Sequence, residues 1–160
     1  MIKIRKAGLK DIRALVEMWE EFEKEHDEMV LKRGLSLKEL LKKKPNARAV
    51  YIKYLKKAIS KKGIVLIAEA DKKAIGYLEG SIKKNDLFAR RLGSIWDLFV
   101  RKGFRKQGIS SMLKDRAIFL FRKKGVKFSE MYVHVSNTNA HQIYRKWGFY
   151  DESIRMMKKL

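Results

Sequence analysis

Between Val100 and Leu113 the chain reads Val-Arg-Lys-Gly-Phe-Arg-Lys-Gln-Gly-Ile-Ser-Ser-Met-Leu, a stretch with the chemistry of an anion site. An apolar strand carrying Ile95, Trp96, Leu98, Phe99 and Val100 enters a loop with two glycines and several cations. The loop then becomes a helix whose apolar side is Ile109, Met112, Leu113, Ala117 and Leu120. The first N–H groups of a helix have no intrahelical partner, and the dipole adds about half a positive charge there. Gly108 puts no side chain between that backbone and a ligand. A phosphorylated ligand is the expectation.

The elements that must position this stretch follow from composition and periodicity. At 160 residues the reading is one domain over 1–160, long enough for a proper core. No apolar run reaches the ~18 residues of a membrane span and no signal-peptide pattern occurs, so a soluble, cytoplasmic protein with no membrane partner is expected. With no cysteine, thiolate metal sites, disulfides and cysteine nucleophiles are excluded, and no metal is expected. The formal net charge is +21, from 39 Lys+Arg against 18 Asp+Glu. Such a balance favours phosphorylated ligands, nucleic acid or an acidic partner. It equally fits a heat-adapted surface, since 36% charged residues exceeds the ~25% of ordinary globular chains.

Ile2 to Arg5 alternates apolar and basic, as a short strand does. Ile12, Leu15, Val16, Trp19 and Phe22 fall at helical spacing, with His26 one turn on, and the outer face from Glu17 to Glu28 is acidic. The charge then reverses over Lys32 to Lys62. There Ser36 and Glu39 read as a capping box for a short helix ended by Pro45, and a second helix (Ala49, Ile52, Leu55, Ile59 inward) runs towards Gly63. This basic face is either solvated surface or a selector for an acidic acceptor. Ile64 to Ala70 and Ala74 to Ile82 form a hairpin about Asp71-Lys72-Lys73, and a polar loop leads to the strand Ser94–Val100. The helix after Gly108 should end near Lys124, closed by Gly125. Met131 to Val135 is a further strand. Asn137 or Asn139 caps a helix with Ala140 and Tyr144 on one face, Gly148 ends it, and Tyr150 to Lys158 reads as a last strand. The order predicts a mixed sheet covered by helices.

Two patterns carry a resemblance to the GNAT superfamily of acetyl-coenzyme A-dependent N-acetyltransferases. The first is V-x-P-x-x-R-G-x-G-x-G/A, read here as Val100, Lys102 in place of proline, Arg105, Lys106 in place of glycine, Gly108, and Ser110 in place of glycine or alanine. The second is N-x-x-A-x-x-x-Y-x-x-x-G-F, matched by Asn137, Ala140, Tyr144, Gly148 and Phe149. The resemblance spans nearly the whole chain. It implies an α/β fold of the α+β type, a central mixed sheet of about six or seven strands flanked by helices. The strands Ser94–Val100 and Met131–Val135 would splay to form the coenzyme cleft.

The same resemblance implies acetyl-coenzyme A as co-substrate and a primary amine, on a small molecule, a lysine side chain or a protein N-terminus, as acceptor. Main-chain groups of Leu98, Phe99 and Val100 would hold the pantetheine arm. Those of Arg105, Lys106, Gln107, Gly108, Ile109 and Ser110 would hold the pyrophosphate, with charge added by Arg101, Arg105 and Lys106. Asn137 and Ala140 would line the cofactor site, Asn137 as ligand, helix cap or both. Tyr144 is implied as general acid, against the simpler role of a packing tyrosine. Glu79, His26 and His134 are candidate bases, with His26 or Glu79 carried forward, while Asp97 reads as structural. By simple alternation Asp97 would face away from Trp96 and lie alongside Ile95 and Phe99. Trp96 and His26 would border the acceptor pocket. A homodimer is compatible with the chain. The competing class is a basic nucleic-acid- or ribosome-associated protein that retains the fold as a binding module.

Overall fold

A computed structural model describes residues 1–32, 39–61, 63–84 and 91–158. Five strands form one sheet in the order β1-β2-β3-β4-β5: β1 Ile2–Lys6, β2 Ile64–Ala70, β3 Lys73–Lys84, β4 Arg91–Val100 and β5 Phe128–Met131. The first four pair antiparallel and β5 runs parallel to β4. The mixed sheet is as expected, with five strands among the described residues in place of six or seven.

The unbroken apolar run of β2 is explained by burial on both faces. Leu66 and Ala68 point into a core shared with Ile95, Ile109, Leu113 and Phe121, whereas Val65 and Ile67 point into one with Leu15, Met18, Leu55 and Phe99. Helix α3 (Ile109–Lys123) covers the first face; α1 (Ile12–Leu31) and α2 (Ala47–Ser60) cover the second. Helix α4 (Thr138–Lys146) follows β5. None of the described helices is long and apolar enough to cross a membrane.

The turn between β2 and β3 places Asp71 at φ 48 and Lys72 at φ 63, the paired left-handed conformation of a tight hairpin. Gly125, at φ 71, follows the end of α3 as expected. Three expectations change. Ser36 of the capping box lies outside the described residues, and residues 39–46 are turns and coil, not helix. The strand placed at Met131–Val135 is β5, shifted to Phe128–Met131, so only Met131 is common to both. Tyr150–Lys158 forms no strand; Ile154 and Met156 are fully exposed there, so period-2 apolarity found no sheet edge to pair with.

The alternation of β4 also changes. Glu79 pairs with Asp97, but Gly80 pairs with Ile95, so Trp96 is an extra residue, a β-bulge. Ile95 therefore joins the α3 core while Phe99 joins the α1–α2 core. The expectation that Asp97 lies alongside both is corrected: it shares the Phe99 side, where Tyr77 bonds it.

The close seat of α3 on the sheet depends on Gly93, where an added Cβ would sit 2.5 Å from the Phe121 ring. Gly93→Ala should cost about 1–3 kcal/mol by overpacking, read as a lower urea midpoint with unchanged slope.

Candidate functional site

Strands β4 and β5 pair only from Leu92 to Ile95. Beyond Ile95, one edge of β4 has no strand partner among the described residues. The Arg101 N–H donates to the Ile75 carbonyl of β3 at 2.9 Å. Because successive main-chain groups alternate, the N–H groups of Val100 and Leu98 turn the other way, into the gap. The Val100 carbonyl, on that same edge, accepts from Arg105 Nε at 2.7 Å.

The strand leads into the loop before α3. Gly108 is its N-cap at φ 74, and Lys106 is also left-handed at φ 61. Left-handed residues spaced in this way turn successive amides inward as an anion-binding concavity. Among the described residues no acceptor is found for the N–H groups of Lys106 to Ser111, and no side chain caps the helix. Among the described residues a Cβ on Gly108 would meet nothing within 4 Å, so the space above it is open and glycine is favoured there for its φ. A row of unused donors beside an open concavity fits a pyrophosphate group, and the free amides of Leu98 and Val100 fit the amide-bearing arm of coenzyme A.

Arg101 and Arg105 are already engaged. Arg101 forks onto Glu21 and donates to the Ala74 carbonyl; Arg105 donates from Nη2 to both oxygens of Glu25. Their charge is therefore largely offset by α1, and Lys102 lies 4.0 Å from Glu25. Lys106 and Gln107 are exposed at the loop surface.

Helix α4 is held against the head of α3. Trp147, its C-cap, donates from Nε1 to the Ser111 hydroxyl at 3.2 Å and stacks on Tyr144 with ring centroids 5.4 Å apart. Tyr144 is mostly buried, burial raises its phenol above the ordinary range, and its hydroxyl has no partner among the described residues. Asn137 caps α4, accepting from the Ala140 N–H at 3.1 Å, and Gly148 at φ 87 follows the helix.

On the α1–α2 side of the bulge lies a pair of carboxyl groups. Glu79 is 2% exposed; its Oε2 accepts from the Tyr51 hydroxyl at 3.0 Å, and its Oε1 is buried with no partner among the described residues. Across the strands, Asp97 accepts from Tyr77 at 3.1 Å. Burial, then the charge of Glu79, pushes Asp97 up to about 7; burial also raises Glu79, against the hydroxyls of Tyr54 and Tyr51. Glu23 of α1 adds to the rise at Asp97. Trp96 donates to Ser81, which shares its side of β3 with Glu79, so Trp96 stands on the Asp97 side and not opposite.

The segment after β5 completes this side. It stacks Tyr132 on Trp96 at 6.0 Å and sets His134 edge-on to His26 at 5.7 Å. Thus Trp96, Glu79 and Asp97 are brought together, while His26 packs with Phe22 and His134 at the end of α1. The tyrosines of α2 were missed by the sequence reading, because Tyr51 and Tyr54 lie outside the inward stripe of Ala49, Ile52, Leu55 and Ile59 and carry no local signal of a role. Among the described residues no group of three or more His, Cys, Asp or Glu could hold a metal.

Comparison with known proteins supplies the context. A model of the acetyltransferase (GNAT) family matches residues 15–149. The chain is 30% identical over 100 residues to an uncharacterised N-acetyltransferase of Methanocaldococcus jannaschii (59% of this chain, 44% of that one). It is 31% identical over 81 residues to one of Archaeoglobus fulgidus (50% and 55%). The chain thus spans about half the length of these curated relatives. Among solved structures, the tetramutant of the BH1408 protein of Bacillus halodurans superposes with TM-score 0.83 at 20% identity, covering 99% of both chains. A predicted acetyltransferase of Clostridium acetobutylicum solved with acetyl-coenzyme A gives 0.75 at 18%, covering 99% and 96%. An aminoglycoside acetyltransferase from a soil metagenome gives 0.72 at 17%, with the same coverage.

The Asp97 carboxyl has a consequence for stability. The folded protein keeps a proton that the unfolded chain releases near pH 4. Stability from this group is therefore greatest below that range and falls as pH rises to about 7. Asp97→Asn should flatten that decline and melt above the parent at pH 8, in thermal scans across pH 4 to 8.

Proposed function

The chain belongs to the GNAT acetyltransferase family, and from that premise we propose that it transfers the acetyl group of acetyl-coenzyme A to a primary amine by direct attack on the thioester. The observation that carries the reading is the row of acceptor-less amides at the head of α3, continuous with the free edge of β4. The coenzyme supplies an acyl carbon activated as a thioester.

The chain's own residues do the rest. The amides of Lys106 to Ser111 hold the phosphates, with Lys106 as the uncommitted cation, and those of Leu98 and Val100 hold the arm and polarise the carbonyl. Arg101 and Arg105 position the loop through Glu21 and Glu25. Asp97 takes a proton from the incoming ammonium, since burial and Glu79 hold it near neutrality. The amine nitrogen would then bond to the acyl carbon as the carbon–sulfur bond breaks, with Tyr144 giving its proton to the departing thiolate and regaining one from the acylated nitrogen through solvent. The Tyr144 hydroxyl, on a partly buried side chain and with no hydrogen bond among the described residues, supports that role. Trp96 and Tyr132 wall the acceptor side, with His26 and His134 beyond them.

Two experiments test this. Acetyl-coenzyme A at saturation should raise the melting temperature, because a ligand of the native state stabilises it. Gly108→Glu should abolish that shift, and a retained shift places the phosphates elsewhere. No shift in the parent, with salt-dependent RNA or DNA binding instead, would favour the binding-module class. Tyr144→Phe should lower kcat by about 100-fold or more with little change in coenzyme affinity, measured by thiol release; an unaltered rate removes Tyr144 from the acid role.

A further inference from the structure

The outer face of α2 is basic in a way the rest of the molecule does not neutralise. Ala47–Ser60 contains no acidic residue. Nearby acids of α1 are taken by two cations: Lys43 bridges Glu23 and Asp27, and Arg48 pairs with Glu20. Lys42, Lys44, Lys53, Lys56, Lys57 and Lys61 are exposed, with no ion pair among the described residues. Surface cations are ordinary, and the arrangement around these is what selects them.

Tyr54 joins the basic face to the carboxyl pair. Its hydroxyl faces Glu79, yet its residue is 43% exposed, so its ring reaches from the carboxyl site to the surface. On a helix, residues three to four and seven apart share a face. Val50, which is 57% exposed, therefore precedes Tyr54 on one stripe, and Lys57 and Lys61 follow it. The stripe is about 16 Å long from Val50 to Lys61, at 1.5 Å per residue. An inner zone of carboxyls thus passes directly into an outer zone of uncompensated ammonium groups.

A ligand carrying both signs of charge satisfies both zones. The inner carboxyls draw a cationic amine towards Asp97 and the unpartnered Glu79 Oε1, and they repel an anion. The outer lysines draw negative charge. We propose that the acceptor is a primary amine carried on an acidic polypeptide segment, whose carboxylates dock along the Val50–Lys61 face of α2 while the amine enters beside Asp97. This rests on the acetyl-transfer reading above and names its substrate class. Nucleic acid fits the outer zone but brings phosphates, not an ammonium group, to the carboxyls. Steering of this type acts on encounter and register more than on the chemical step, so its signature is in kcat/KM and is screened by salt.

The test compares two peptides with one identical lysine, flanked by glutamate in the first and by glutamine in the second, with acetylation followed by thiol release and mass. The acidic peptide should have a kcat/KM about tenfold higher at ~0.05 M salt, and the ratio should fall towards one at ~0.5 M. Lys53→Gln, Lys57→Gln and Lys61→Gln combined should reduce the ratio. Arg122→Gln, Lys124→Gln and Lys127→Gln, three charges at the end of α3 on the opposite face, should not. Equal rates for the two peptides, or a ratio insensitive to the α2 substitutions, overturns the proposal. So does RNA binding that the same α2 substitutions abolish while the peptide ratio stays at one. A coenzyme-induced melting shift with neither peptide acetylated also overturns it, while leaving the coenzyme reading intact. Absence of the shift itself is failure of that earlier reading.

Discussion

One extra residue in β4 sets the rest of the molecule in place. Trp96 has no counterpart on β3, and the pairing of β4 with β5 stops at Ile95, the residue before it. In a regular strand, Ile95, Asp97 and Phe99 would share one face, and Asp97 would enter the apolar α3 core without a donor. Burying an unpartnered carboxylate there costs several kcal/mol. The bulge instead sends Ile95 to α3 and both Asp97 and Phe99 to α1 and α2, where Tyr77 supplies a donor. The same irregularity bends the strand from its parallel neighbour, and the freed amides of Leu98 and Val100 line the opening. A cleft and an ionisable group beside it thus have a single structural cause.

Helix α1 holds that strand and loop in position by charge. Glu21 and Glu25, one turn apart, accept from the guanidinium groups of Arg101 and Arg105, which flank the turn leaving β4. Exposed pairs are individually worth about 0–1 kcal/mol, so their value here is geometric. The Arg101 fork and the Arg105 guanidinium, which spans Glu25 and the Val100 carbonyl, fix the direction in which the chain leaves β4. The acidic outer face of α1 is therefore no free patch. It pairs with Arg101 and Arg105, with Lys43 of the α1–α2 connection and with Arg48, and leaves Lys53, Lys56 and Lys57 of α2 without an ion pair among the described residues.

Much of this was legible in the residues. The helical spacing of Leu15, Val16, Trp19 and Phe22, the breaks at Gly125 and Gly148, and the Asp71-Lys72 turn each impose a local conformation, and local conformations follow local sequence. The Gly108 anion site was legible for the same reason, since it is made by consecutive residues. What escaped depended on pairing. No local signal distinguishes Trp96 as a bulge from Trp96 in register; only the partner strand decides it. Tyr150–Lys158 has strand-like alternation, but a strand exists only where an edge is offered. The tyrosines facing Glu79 come from a helix 28 residues earlier in the chain, for Tyr51. Their role becomes visible only when α2 is laid over the hairpin.

The carboxyl pair explains why a strand aspartate can exchange protons near neutrality. Two carboxylates facing each other across neighbouring strands cannot both ionise cheaply, so a charge on one raises the other's affinity for a proton. The surroundings decide which residue holds which. Glu79 is the deeper group, and the hydroxyls of Tyr51 and Tyr54 turned towards it favour its charged form. Those phenols are themselves pushed far above their ordinary range by burial, so they donate hydrogen bonds without releasing protons. Burial, then the resident charge on Glu79, pushes Asp97 up to about 7 against its one phenol donor. The buried glutamate acts as a fixed charge and the outer aspartate as the group that loads and unloads. That division requires two acids of different depth on the same side of the sheet, which the bulge at Trp96 provides.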